Sequence, residues 1–126
     1  MLDLHDNYVE LGNIILEINR LLPQLGDFIG QFNKVVIEAG INVISDAHGN
    51  LSIDVPSAMS DSIANKVTTR LGIIDRLITE QGTTINSLFQ KGLGIETGIK
   101  KIDTNYTSQL TEQIAKFKEL NSSYKH

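Results

Sequence analysis

Apolar residues recur at alternating intervals of three and four along two long stretches of this chain. The first runs Leu4, Tyr8, Leu11, Ile15, Ile18, Leu22, Leu25, Ile29, Phe32, Val36 and Ala39. The second runs Val67, Leu71, Ile74, Ile78, Gln81, Ile85, Leu88, Gly92, Ile95, Ile99, Ile102 and Tyr106, interrupted only by Gln81 and Gly92. Such spacing places every side chain of a run on one narrow seam of a helix, the seam through which helices interlock along their length. The pattern therefore constrains how the chain hides apolar surface, and it predicts neighbours lying almost parallel. Ile14, Leu21, Phe28 and Val35 flank the first seam at intervals of seven and widen its stripe, as packing against more than one neighbour requires.

The remaining punctuation divides the chain into four parts. A helix is predicted over 3–39, with Asp3 as its cap, Asp6 on the favourable end of the helix dipole and Gly40 as its stop. Pro23 removes a backbone donor in mid-helix, so a bend or a break into two helices is expected near Asn19–Leu22. Residues 41–55 then change period: Ile41, Val43, Leu51, Ile53 and Val55 alternate with polar residues around the turn-rich segment 45–50. That pattern reads as a β-hairpin whose apolar face must dock on helices or pair with other chains. A second long helix over 57–102 follows, capped by Ser57 or Ser60. Its glycines each cost about 1 kcal/mol relative to alanine, and a break would fall at Gly92-Leu93-Gly94; the seam keeps its phase through Ile95, Ile99 and Ile102, so the helix, or at least its packing surface, is expected to continue. A terminal helix over 104–124 carries Tyr106, Leu110, Ile114, Phe117 and Tyr124 on one side. The fold class is thus mainly α: long heptad-patterned helices, as a coiled coil or elongated bundle, with one β-hairpin between them.

Composition narrows the chemistry. With 126 residues the chain makes one module. Aromatic content of 6% with no tryptophan suits thin helical packing better than a rounded core. Eleven basic against fifteen acidic residues give a net charge of −4, and the basic residues form no stripe, so nucleic-acid binding is not expected. The absence of cysteine removes disulfides, thiolate catalysis and zinc–thiolate sites. No apolar run reaches the roughly 20 residues that span a bilayer, and the acidic start Met1–Asp6 lacks the features of an export signal. A soluble protein without membrane contact is the expectation.

No catalytic set emerges. Asp46 and His48 are too few to hold a metal, and they read as part of a turn. Gly92-Leu93-Gly94 with Gly98 has the wrong spacing for a dinucleotide loop. Asp61, Asp75, Glu80 and Glu96 fall off the seam, where they solvate a helix face. No enzyme, cofactor or metal is therefore expected. The residues singled out are those of an oligomer interface: Val67, Leu71, Ile74, Ile78, Gln81, Ile85, Leu88, Ile95, Ile99 and Ile102. Isoleucine at both core positions favours three or more strands. Gln81 either fixes the register of the packing or marks a local opening beside Gly82.

The order helix, β-hairpin, helix with heptad arms resembles the plan of a prefoldin subunit, which implies a coiled-coil chaperone or scaffold offering its arms to a protein client. The short β element Leu51-Ser52-Ile53-Asp54-Val55, joined to a helix rich in Ser, Thr, Asn and Ile such as 82–88, resembles virion and tail components of bacteriophages. That resemblance implies a non-enzymatic structural protein, assembled as a homo-oligomer with other structural proteins in a virion.

Overall fold

A computed structural model of the chain describes residues 4–45, 51–98 and 104–124. The order of elements is α1 (Leu4–Ala39), β1 (Asn42–Ser45), β2 (Leu51–Asp54), α2 (Asp61–Gly98) and α3 (Thr104–Ser122). The chain is mainly helical, as its periodicity requires, with a single antiparallel hairpin between the first two helices among the described residues.

Cross-helix contacts fix the directions. Gly92 of α2 lies against Leu11 and Ile14 of α1, while Gln81 reaches Leu21, so α2 descends as α1 rises. On α3, Tyr106 meets Tyr8, Gln113 reaches Ile15, Leu120 lies beside Gly26 and Tyr124 meets Phe32, so α3 runs parallel to α1. The result is an up-down-up bundle of three helices. At 1.5 Å per residue, α1 is about 54 Å long. One continuous cluster fills its axis, from Ile14 through Ile18, Leu25 and Phe32 on α1 to Leu71, Ile78, Ile85 and Phe89 on α2, with Leu110 and Tyr124 from the third-helix segment.

Helix ends follow the local chemistry. Gly40 adopts φ 64°, donates to the Ile37 carbonyl and is followed by an Ile41 N–H that donates to Val36, both at 3.2 Å. This is the glycine-closed helix end, with Ile41 buried beneath it. Ser60 caps α2: its hydroxyl accepts from the Ile63 N–H at 3.3 Å. In the hairpin, Val43 stands opposite Ile53, and both pack on the helical core, while Asn42 and Asp54 face solvent. The apolar face of the hairpin thus finds its cover within the chain. The Asp3 cap, the Asp46–His48 turn and the 99–102 part of the second helix lie outside the described residues.

One expectation is corrected. Pro23 does not divide α1, which stays helical through it. Pro23 is exposed, whereas Leu21, Leu22 and Leu25 around it are buried, so tertiary packing holds the helix while the missing donor falls on the open side. Through Gly92-Leu93-Gly94 the helix continues, as the unbroken phase predicts, and α2 reaches Gly98. Gly92 is buried where the three helices converge: a Cβ there would lie 3.5 Å from Ile14, 3.6 Å from Leu11 and 3.6 Å from Leu110. The glycine serves close approach, and its helix-breaking tendency is overridden by burial.

The glycines can therefore be told apart by substitution. Gly72 sits in α2 with open space around its Cβ position, so Gly72→Ala should raise stability by about 1 kcal/mol. Gly92→Leu should lower it by about 1–3 kcal/mol through overpacking. Urea denaturation midpoints read both changes, and an undiminished midpoint for Gly92→Leu would show that the junction is not closed.

Candidate interaction surface

The side chains singled out by spacing are distributed unevenly in the fold. Leu71, Ile74, Ile78 and Ile85 are buried within the single chain, and Val67, Leu88 and Ile95 pack half-buried against the same core. Ile99 and Ile102 lie outside the described residues. Within this fold the seam is covered by helices of the same chain. A contact between chains that preserves the bundle must therefore use other side chains.

Gln81 proves to be a register element between α1 and α2. Its Nε2 donates to the Leu21 carbonyl at 3.2 Å and to Gln24 Oε1 at 3.0 Å. Gln113 on α3 repeats the device. It is 4% exposed, and its Nε2 donates to the Ile15 carbonyl and to Asn19 Oδ1, both at 2.8 Å. Each partner helix thus carries one glutamine that grips the α1 backbone, and a slip of one residue would leave a partly or wholly buried amide unsatisfied. Spacing flagged Gln81, but Gln113 was missed, since an isolated glutamine in a polar helix carries no periodic signal.

Aromatic pairs fasten the third helix. Tyr106 meets Tyr8 with ring centroids 5.8 Å apart, Phe117 meets Phe89 at 5.5 Å, and Tyr124 meets Phe32 edge-on at 4.9 Å. The Tyr124 hydroxyl donates to Asp75 on α2, and burial together with that bond pushes the phenol pKa up. Asn33 Nδ2 donates to the Ser123 carbonyl at 3.2 Å, closing the end of α3 against α1.

Threonine hydroxyls on α2 and α3, including Thr68, Thr83 and Thr97, donate to carbonyls four residues earlier in their own helices. That arrangement spends them on the backbone. Arg20, hydrogen-bonded to Glu17, holds that carboxyl below its ordinary range on an exposed face. Among the described residues no group of three or more histidine, cysteine or acidic side chains is placed to hold a metal ion. No helix among them is long and apolar enough to cross a membrane.

What remains is surface. Leu16 is 67% exposed, Ile73 59% and Ile63 54%, and Val9, Ile37, Leu77 and Leu93 are also exposed. Ile63, Ile73 and Leu77 line two connected openings between α1 and α2, of about 620 and 720 Å³, which share Gln31 and Arg70. No residue of α3 lines either of them, so they lie on the part of the α1–α2 pair that α3 leaves uncovered. Val9 and Leu16 border a smaller groove on the α1–α3 side. The interval of seven between Val9 and Leu16 was a visible signal of a second stripe, masked by the stronger seam beside it. No family model matches this chain, and no curated protein or solved structure matches it significantly.

Tyr124 supplies the test of the third-helix clamp. Its proton is held more tightly in the folded chain than in the unfolded one, so its contribution is intact below the unfolded value of about 10. It is lost as pH rises beyond that value towards the folded one. Tyr124→Phe should cost about 1 kcal/mol at neutral pH and flatten the stability loss above pH 10. Identical alkaline slopes for the two proteins would dissociate the phenol proton from the fold.

Proposed function

We propose that this chain is a non-enzymatic building block, a helical module that assembles with copies of itself and with other structural proteins. The observation that carries this reading is the set of large aliphatic side chains left on the surface of a bundle whose seam is already filled. Ile73 and Leu77 share one opening, Ile63 lines the one next to it, and Val9 and Leu16 share one helix edge. Clustered exposed aliphatic residues, in a rod with a small core, are the usual mark of a protein contact. The resemblance of the 51–55 and 82–88 segments to bacteriophage virion and tail components gives the assembly its setting.

A prefoldin-like chaperone or scaffold is the second reading. It draws on the same exposed side chains, offered to a client in place of a copy. Addition of the purified chain to an aggregating unfolded protein separates the two: suppression favours the chaperone, and incorporation into particles favours the building block.

The measurement that tests assembly is solution mass. The chain weighs 13.9 kDa, and native mass spectrometry or light scattering should return a multiple of that value. A mass of one chain at every concentration tested would overturn the reading.

A further inference from the structure

The uncovered groove between α1 and α2 and the exposed edge near the start of α1 lie at opposite ends of the bundle and carry opposite charge. We infer that they bind each other, the α1 edge of one copy seating in the groove of the next; this rests on the assembly reading above and names its contact.

The groove is apolar along its floor and basic at its rim. Ile73 and Leu77 stand exposed on α2 beside Lys66 and Arg70, neither of which has an ion-pair partner among the described residues. Across the groove Lys34 pairs with Glu38 at 4.0 Å, which leaves the rim with a positive excess. The α1 edge has the converse chemistry. Val9 and Leu16 are exposed, and α1 up to Leu16 carries Asp6 and Glu10 but no lysine or arginine. Glu10 holds Lys91 at 3.2 Å, whereas Asp6 has no ion-pair partner among the described residues.

The order of groups also matches. On α2, Arg70 precedes Ile73 by three residues; on α1, Asp6 precedes Val9 by three. Laid parallel, the two helices therefore set carboxylate against guanidinium and aliphatic against aliphatic together. The incoming helix occupies the α1–α2 pair on the part that α3 leaves open, giving four packed helices at each junction. Since α2 runs opposite to α1, an α1 laid parallel to α2 belongs to a copy inverted relative to the first. An inverted pair either exchanges both contacts and closes as a dimer, or uses one contact per neighbour and continues.

Two exposed positions give the decisive test. Ile73→Asp blocks the groove and Leu16→Asp blocks the edge, and helix content by circular dichroism checks that each bundle remains intact. Each variant alone should have the mass of one chain. Mixed in equal amounts they should form a dimer and nothing larger, because each retains the surface the other lacks. A second pair guards against loss of folding: Arg70→Glu alone should weaken assembly several-fold, and adding Asp6→Arg in the same chain should restore it. If the unmodified chain assembles and both aspartate variants still do so, or if their mixture stays monomeric, this contact is wrong while assembly stands. If the unmodified chain stays at one-chain mass, the assembly reading itself fails.

Discussion

Everything in this bundle hangs on the double-sided apolar stripe of α1. Leu11, Ile14, Ile15, Ile18, Leu21, Leu22, Leu25, Ile29 and Phe32 are all buried, a density of about three per heptad that a two-helix seam does not require. One edge of the stripe meets α2 and the other meets α3. Those two helices touch each other far less than either touches α1. The first helix is therefore a spine, and removing its second edge would free α3 without disturbing the α1–α2 pair. Aromatic contacts concentrate where the attachment is thinnest. Tyr106, Phe117 and Tyr124 bring ring-on-ring area to a short and otherwise polar helix.

Polar groups then choose the register that hydrophobic burial leaves loose. A heptad seam of isoleucine and leucine slides by a whole turn at modest cost, since every turn presents similar side chains. Gln81 and Gln113 oppose this, because each amide donates to a single α1 carbonyl and to one neighbouring side chain. Gln113 does so at a price, for its Oε1 is buried with no partner. The net gain from such a glutamine is therefore in uniqueness of packing more than in stability.

Much of this was legible in the residues. The seam positions of α1 and α2, the stop at Gly40, the cap at Ser60 and the alternation of Val43 and Ile53 each express a local rule that packing leaves intact. The break expected at Pro23 and the cost counted against Gly92 were overridden for one shared reason. Local propensity counts the missing donor or the missing side chain as a loss, but it has no term for the burial of Leu22 and Leu25, or for the space Ile14 and Leu110 need. Gln113 and the Asp75 contact of Tyr124 had no signal, since both depend on which helix lies opposite.

Period also could not say whether the seam of α2 meets its own chain or another, because the spacing of 3.5 is the same in both cases. Chain connectivity decides it. Folding α2 back on α1 costs only the closure of the connection between Ala39 and Asp61, which grows slowly with length. A second chain must first surrender translational and rotational freedom, a cost of several kcal/mol at least. Where an intramolecular helix offers the same leucines and isoleucines at comparable geometry, the local partner wins. The strand-number preference of isoleucine at both core positions can then be met by three helices of one chain as well as by three chains. In this fold the strongest periodic pattern therefore describes the interior. Val9, Leu16, Ile63 and Ile73 stand outside that buried set and remain exposed after the fold has formed.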